Sequence, residues 1–370
     1  MANRSVPDVE VVIVGGGVVG LSCAHELAAR GRRVAVLERR SRFGDETSTH
    51  NSGVLHAGIY YPTGSRRARL CVAGRRLLAA RLAEWRVPHR IGGKLIVAVE
   101  DAELPELRRL QKQGLENGVE ELPLIDGAAA RRREPNVRAV AALHSPRTGV
   151  FDVAEYLHAL AGRAQRLGAL LVADAEVAAV DINAAVITTR TTRKGAIRGR
   201  RLINAAGLRA DEVARLCGDA RHTIHPNRGE YAAVIPRRTS LINELVYPVP
   251  EDVSIGVHFT RTVDGELWLG PDARWIADKS DYETNRRPAV DFLPAAQRLC
   301  PALAAEDLRL GPSGIRPKRS GPGAPQLDFF IEPQPDEPRI LHLIGIESPG
   351  LTASPAIALM AADWAARSER

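Results

Sequence analysis

The chain has 370 residues, of which 45% are hydrophobic and 26% are charged. This composition is typical of a globular protein with one or two cores, and it excludes a disordered or collagen-like chain. The net charge of +7 comes mainly from arginines spread along the whole sequence. That distribution argues against a compact nucleic-acid-binding surface and is compatible with anionic ligands, so we predict no nucleic-acid partner.

The sequence gives little indication of a membrane-spanning segment or of a metal-binding site. The longest apolar runs are much shorter than a membrane span, and the first residues, MANRSVPD, lack the apolar core of a signal peptide. We expect a cytoplasmic protein without a transmembrane segment and leave peripheral membrane contact open. The cysteines lack metal-ligand spacing, so neither a disulfide framework nor a metal site is expected. They are Cys23, Cys71, Cys217 and Cys300.

A strand, a helix and a second strand are predicted for VEVVIVGGGVVGLSCAHELAARGRRVAVLER, residues 9–39. Between the first strand and the helix, Gly15, Gly17 and Gly20 fit G-x-G-x-x-G, which lets the backbone approach a pyrophosphate at a helix N-terminus. Glu38 closes the second strand where an acidic side chain meets a ribose hydroxyl. The unit predicts FAD or NAD binding and disfavours NADP.

A loop is predicted for ETSTHNSGVLHAGIYY, residues 46–61, because its small and hydroxylated residues suit neither a helix nor a strand. Helices are then expected within 64–85, 101–119 and 152–169, and strands within 92–100, 170–182 and 184–190. GRRLINAAGLRADEVARLCG predicts strand, turn and helix, and residues 223–271 predict short antiparallel strands. A last strand, glycine turn and helix are expected within 338–368.

The α/β pattern at both ends and the antiparallel pattern between them predict an α/β fold, α+β overall, with two domains. We expect a discontinuous, Rossmann-like cofactor domain and an antiparallel-sheet substrate domain. The predicted ranges are 1–88, 140–220 and 311–370 for the cofactor domain, and 89–139 and 221–310 for the substrate domain.

Several segments resemble FAD-dependent oxidoreductases of the D-amino-acid oxidase (DAO) type and, within that superfamily, the L-2-hydroxyglutarate oxidase/dehydrogenase branch. The resemblance covers nearly the whole chain. It is carried by ETSTHNSGVLHAGIYYPTGSRRARLCVAG, GKLIVA, RGEYAAV, YPVP, GVHFTRTVDGELWLGPDA, SGIRPK, INAAGLRADEVA and IGIESPGLTAS.

The resemblance implies an FAD-binding domain and oxidation of a small 2-hydroxy acid, similar to L-2-hydroxyglutarate, to the 2-oxo acid by hydride transfer to the flavin. The implied partners are a small carboxylate substrate and, as electron acceptor, oxygen or a quinone. The implied cofactor-binding residues are Gly15, Gly17, Val18, Val19, Gly20, Glu38, Arg39, Thr47, Ser48, Asn51, Ser52, Gly53, Val177, Ala206, Gly207, Gly314, Ile315, Ser348, Gly350, Leu351 and Thr352.

Oxidation of a 2-hydroxy acid requires a base for the hydroxyl proton and a fixed cation for the carboxylate. Arg316 is the predicted carboxylate ligand, because a guanidinium matches both oxygens, and Arg261 is the alternative. An imidazole suits the base, and His56 and His258 are both candidates. Tyr60, Tyr61 and Tyr231 are expected to line the substrate site.

Two other functions fit the same fold. One is FAD-dependent oxidation of an amine or amino acid, and the other is a flavin-binding sensor without turnover. The sequence leaves open the substrate and its stereochemistry, the electron acceptor, the oligomeric state, covalent or non-covalent attachment of FAD, and which histidine is the base.

Overall fold

The computed structural model describes residues 6–250 and 256–367. Residues 1–5, 251–255 and 368–370 fall in the predicted domain ranges but lie outside the described residues. The helices are α1 Val18–Ala29, α2 Arg66–Glu84, α3 Leu104–Glu116, α4 Gly127–Arg133, α5 Val153–Arg166, α6 Ala210–Leu216, α7 Leu293–Leu299 and α8 Gly350–Ala366.

The strands belong to three sheets. They are β1 Val9–Val14, β2 Val34–Leu37, β3 Val54–Leu55, β4 His89–Arg90, β5 Lys94–Ala98, β6 Leu124–Asp126, β7 Ala141–His144, β8 Gly149–Phe151, β9 Leu170–Val172, β10 Val177–Ile182, β11 Ile187–Thr191, β12 Ala196–Asn204, β13 His225–Val234, β14 Leu245–Pro248, β15 His258–Arg261, β16 Leu267–Gly270, β17 Arg274–Trp275, β18 Leu308–Lys318, β19 Phe330–Gln334 and β20 Glu337–Ile344.

The first sheet confirms the predicted α/β fold. Its strands lie in the order β10-β11-β12-β1-β2-β9, while β20 pairs with β12 and β19 with β20. β1 pairs in parallel with both β12 and β2. The run VEVVIV suits this central position because a parallel strand covered on both faces needs apolar side chains throughout.

Helices α1, α2 and α8 share one packed layer, in which glycine permits close approach. In α2, a Cβ at Gly74 would lie 2.3 Å from the carbonyl oxygen of Thr352 in α8. Ile357 and Ala361, also in α8, are fully buried in the core beside Ile13 of β1. The packing therefore fixes the N-terminus of α8 relative to the first sheet.

The second sheet has the order β17-β13-β16-β15-β14-β5-β7-β6, and β18 pairs with β13. All its pairs are antiparallel except β14 with β5. The long pairing of β13 with β18 places Asn227 opposite Arg316 and Gly229 opposite Gly314. It brings the segments RGEYAAV and SGIRPK side by side.

Two details differ from the sequence analysis. The segment predicted as a loop contains the short strand β3, in which Val54 and Leu55 pair with β8. In addition, β7 and most of β18 pair with strands of the second sheet, although both lie in ranges predicted for the cofactor domain. Both pairings depend on partner strands that are distant in sequence. A local sequence pattern carries no information about such partners. The domain ranges themselves stay predictions.

Gly74→Ala should lower the free energy of unfolding, because the added methyl group would meet backbone rather than a movable side chain. Overpacking of this kind costs about 1–3 kcal/mol. Gly162→Ala in α5 is the matched control, since its nearest neighbour would be the end of the Arg166 side chain at 3.4 Å; there alanine should be neutral or stabilising. Thermal unfolding measures both variants, and equal stability of the two would contradict the packing described here.

Candidate active site

A cavity lies between the first and second sheets. Its wall is formed by the turn after β1 and the start of α1, the end of β2, the segment 44–56, the turn after β12, strands β13, β14, β15 and β18, and the segment 343–351. Segments distant in sequence therefore meet around one space.

The glycine turn after β1 is closely packed on one side and open to the cavity on the other. Gly15 has φ +106°, and a Cβ there would lie 2.4 Å from the carbonyl oxygen of Ala205. A Cβ at Gly20 would lie 1.9 Å from the oxygen of Gly15. Gly17 and Val18 line the cavity, so the N-terminus of α1 faces it. Free N–H groups and the helix dipole make such a terminus suitable for a pyrophosphate.

Glu38 fixes the shape of this turn from the end of β2. Its Oε2 accepts a hydrogen bond of 2.7 Å from the amide of Gly16, and Oε1 accepts one of 2.8 Å from Arg40. Burial raises the pKa of Glu38 above its usual range. The carboxylate also lines the cavity, and its remaining lone pairs are available to a ribose hydroxyl.

The segment from Gly44 to His56 crosses between the two sheets. Ser48 Oγ accepts a 2.9 Å hydrogen bond from the amide of Val18 at the start of α1. Thr47 Oγ1 donates to the carbonyl of Ile315 in β18 at 3.2 Å. A Cβ at Gly314 would lie 2.0 Å from the oxygen of His50, so this crossing requires glycine. The hydroxyl groups predicted to serve the cofactor thus also join the two sheets.

Arg316 extends across Gly229 on the neighbouring strand. Its Nη1 donates to Asn227 Oδ1 at 2.9 Å, and Nη2 donates to the carbonyl of Asp272 at 3.1 Å. A Cβ at Gly229 would lie 2.5 Å from Nη2, so any larger residue there would displace the guanidinium from this position. Arg316 is half-buried in the cavity wall. Within residues 6–250 and 256–367, it forms no ion pair with a carboxylate.

His56 is a further residue of the cavity wall and is held there by α8. Its backbone amide donates to Thr352 Oγ1 at 3.0 Å, and Nε2 lies 3.4 Å from Ser348 Oγ. Nδ1 is buried without a protein partner. Burial, with help from the charge of Lys94, lowers the pKa of His56 to about 3. The imidazole is therefore neutral at pH 7.

His258 lines the cavity from β15. Its Nδ1 lies 3.0 Å from the carbonyl oxygen of Gly256, which can only accept, so Nδ1 carries the hydrogen and Nε2 is left as an acceptor. The ring stacks on Tyr247 with centroids 3.7 Å apart. Burial lowers the pKa of His258 to about 3. Two neutral imidazoles therefore belong to this wall.

The structure brings most of the predicted site residues to the cavity. Those that line it are Gly15, Gly17, Val18, Val19, Glu38, Thr47, Ser48, Asn51, Ser52, His56, Ala206, Gly207, Tyr231, His258, Gly314, Ile315, Arg316, Ser348, Gly350 and Leu351. Their roles toward a cofactor or substrate stay predictions.

Other predicted residues lie behind the wall. Arg261 donates to the carbonyls of Thr239 and Ile242 at 2.6 and 2.9 Å, so the alternative carboxylate ligand already has partners elsewhere. The Tyr60 ring packs against Tyr247.

The remaining predicted residues that do not line the cavity also have partners within the protein. The carbonyl of Tyr61 accepts from Asn117, and Arg39 pairs with Glu46. Val177 packs in an apolar cluster under β12. Gly20 and Gly53 approach neighbouring backbone closely, and the Thr352 hydroxyl accepts from the amide of His56; all three shape the wall without lining it.

Several residues of the wall were not predicted as site residues. They include Tyr247, Gly229, His50 and Glu347. Tyr247 and Gly229 belong to the quoted segments YPVP and RGEYAAV, so a signal was present. What was missing is the pairing of β13 with β18, which places Gly229 opposite Gly314 and beside the guanidinium of Arg316.

Residues 10–364 match the family model described as DAO, FAD-dependent oxidoreductase. The chain belongs to this family. It is an FAD-dependent oxidoreductase with FAD as its cofactor, as the resemblance implied.

Named relatives cover almost the full chain. It is 36% identical over 395 residues to a mitochondrial L-2-hydroxyglutarate dehydrogenase of Arabidopsis thaliana, covering 95% of this chain and 82% of the relative. It is 29% identical over 383 residues to the L-2-hydroxyglutarate dehydrogenase of Escherichia coli (strain K12), covering 93% and 90%.

Solved structures share the fold. L-α-glycerophosphate oxidase from Mycoplasma pneumoniae, with FAD bound, has a TM-score of 0.88 and 27% identity, covering 97% of this chain and 95% of that one. Glycine oxidase from Geobacillus kaustophilus has a TM-score of 0.83 and 24% identity, covering 99% and 96%. The predicted Rossmann-like FAD-binding fold is confirmed.

The described residues fit the cofactor in two ways. The glycine turn presents a helix N-terminus to the cavity and is packed too closely for a Cβ at Gly15 or Gly20, and Glu38 follows it at the end of the next strand. We infer that these groups hold the pyrophosphate and the ribose. None of the helices within residues 6–250 and 256–367 combines the length and apolar character needed to span a bilayer; the cytoplasmic location stays a prediction.

Glu38→Ala should weaken FAD binding, because it removes the acceptor that we infer for the ribose and releases the amide of Gly16. Loss of charge-assisted hydrogen bonds worth about 1.5–3 kcal/mol corresponds to about 10- to 100-fold in the dissociation constant. Titration of the apoprotein with FAD measures it. Glu176→Ala, at an exposed carboxylate, is the control and should bind normally; unchanged FAD binding in Glu38→Ala would contradict the role of Glu38.

Proposed function

We propose that this chain oxidises L-2-hydroxyglutarate, or a closely similar 2-hydroxy acid, to the corresponding 2-oxo acid. The named dehydrogenases that it resembles support the substrate class. Arg316 is the observation that carries the proposal, because it places in the cavity wall a cation that has no carboxylate partner among the described residues.

Arg316 is suited to bind the carboxylate next to the reacting carbon. Its guanidinium is oriented by Asn227 and by the carbonyl of Asp272, neither of which neutralises its charge. A planar guanidinium can donate two parallel hydrogen bonds to a carboxylate. Binding there fixes the substrate at one end and leaves its hydroxyl group free to meet a base.

His56 is the proposed base, and the proton goes to Nε2. This nitrogen lies near Ser348 in the wall, whereas Nδ1 is buried. A neutral imidazole can accept the hydroxyl proton, and a bound carboxylate raises the low pKa of His56 because a nearby negative charge stabilises the imidazolium. His258 is the alternative base, since its Nε2 is also an acceptor.

FAD, when bound, supplies the acceptor for the hydride that leaves C2. Loss of that hydride and of the hydroxyl proton converts the 2-hydroxy acid to the 2-oxo acid, and oxygen or a quinone serves as the final electron acceptor in this proposal. The chain's part is to orient the carboxylate, accept the proton and limit water around the reacting carbon through Tyr231 and Tyr247.

Arg316→Lys and Arg316→Met should both lower kcat/KM for L-2-hydroxyglutarate while FAD content is retained. Lysine keeps the charge but lacks the two parallel donors of the planar guanidinium, and methionine lacks both the charge and the donors. A charge-assisted hydrogen bond contributes about 1.5–3 kcal/mol, so we expect losses of about 10- to 100-fold, larger for methionine.

The control is Arg132→Met, at an exposed arginine of α4, which removes the same charge outside the cavity wall. Kinetics with the purified holoenzymes measure all three variants. The proposal is wrong if Arg316→Met turns over L-2-hydroxyglutarate as well as the control does.

A further inference from the structure

Lys94 is a buried cation with no anionic partner among the described residues. It is the first residue of β5, and its side chain is 1% exposed. The ammonium lies 4.5 Å from the ring centroid of Tyr60 and 4.6 Å from that of Tyr247. Two aromatic faces therefore take the place that a carboxylate usually occupies.

The titratable groups around Lys94 are neutral at pH 7. They are the phenols of Tyr60 and Tyr247, the thiol of Cys71, whose pKa burial raises to about 12, and the imidazoles of His56 and His258. Cation–π contacts offset only part of the desolvation cost of a buried ammonium. Burial accordingly lowers the pKa of Lys94 to about 7. A methionine would fill the same space without that cost, so packing alone does not explain a lysine here.

The position of Lys94 relates it to the cavity. Tyr247 lines the wall and stacks on His258, and the charge of Lys94 lowers the pKa of both His56 and His258. Lys94 therefore lies one side-chain layer behind the wall that carries the two candidate bases. Arg316 is the one lysine or arginine of the wall among the described residues.

The carboxylates of the wall do not use either cation. Glu347 pairs with Arg67 at 2.9 Å and with Lys318 at 3.0 Å, and Glu46 pairs with Arg39. Arg316 and Lys94 thus leave positive charge available to a ligand.

We propose that Lys94 is a specificity-determining residue whose buried ammonium, held between Tyr60 and Tyr247, favours substrates that carry a second carboxylate. This inference rests on the proposed function and names the part of the chain that distinguishes a 2-hydroxy diacid from a 2-hydroxy monoacid. Arg316 binds the carboxylate next to C2, and Lys94 attracts the distal one across the layer formed by Tyr247 and His258. No direct contact is required, because charges interact over several ångströms where water is excluded.

Binding of 2-oxoglutarate and of 2-oxopentanoate to the purified holoenzyme tests the proposal without turnover. The two ligands have the same chain length, but 2-oxopentanoate lacks the second carboxylate. Dissociation constants come from the change that each ligand causes in the flavin absorbance spectrum. The variants are Lys94→Met and Lys94→Gln, and Lys112→Met, at an exposed lysine of α3, is the charge-matched control.

We expect both Lys94 variants to bind 2-oxoglutarate on the order of tenfold more weakly, to bind 2-oxopentanoate as the wild type does, and to retain FAD. The control should bind both ligands normally. A lysine is charged below its pKa, so the wild-type preference for the diacid should decline as the pH rises above about 7. Bound diacid stabilises the ammonium and should move this decline to higher pH. In Lys94→Met this pH dependence should be absent.

Three results would overturn the proposal. In the first, the Lys94 variants weaken the binding of both ligands equally, or weaken the binding of neither. In the second, the pH dependence of the preference persists in Lys94→Met. In the third, both variants lose FAD, which would make Lys94 a structural residue. The proposed function fails separately, if wild-type flavin is not reduced by L-2-hydroxyglutarate; the ligand comparison still decides the role of Lys94 in that case.

Discussion

The close crossing of the segment 44–56 between the two sheets is the contact on which the site depends. At this crossing the backbone of His50 lies so near Gly314 that a Cβ would approach its oxygen to 2.0 Å. Ser48 caps the first turn of α1, and Thr47 bonds to β18. One short segment thus joins the glycine turn of the first sheet to the strand that carries Arg316, and then continues to His56.

The charge states of the side chains in the cavity wall determine which chemistry the site can perform. Burial keeps His56 and His258 neutral, while Arg316 retains a charge that no described carboxylate neutralises. An anionic substrate would supply the missing negative charge and make the imidazoles better proton acceptors. Under the proposed function, substrate binding and proton transfer would thus be coupled through the same few side chains.

The sequence predicted the local units well and the distant pairings poorly. The β1–α1–β2 unit follows from periodicity and glycine spacing, which are local, and Arg316 and both histidines were found through the resemblance. Arg261 was the alternative carboxylate ligand to Arg316, but its guanidinium bonds to the carbonyls of Thr239 and Ile242, because successive residues of strand β15 alternate between its faces and Arg261 lies three positions after His258. Neither Gly229 nor Lys94 was predicted, because one depends on its partner across β13 and β18 and the other on burial between two tyrosines distant in sequence.

The most direct test of the account is an anaerobic titration of the purified holoenzyme with L-2-hydroxyglutarate, its D-enantiomer and L-glutamate, followed by the visible absorbance of the flavin. L-glutamate has the same carbon skeleton with an amine in place of the hydroxyl group, so the set isolates the bond that is oxidised. The account predicts that L-2-hydroxyglutarate alone removes the oxidised flavin spectrum and yields 2-oxoglutarate in proportion to the flavin reduced. Reduction by L-glutamate with release of ammonia, and none by the hydroxy acid, would contradict it.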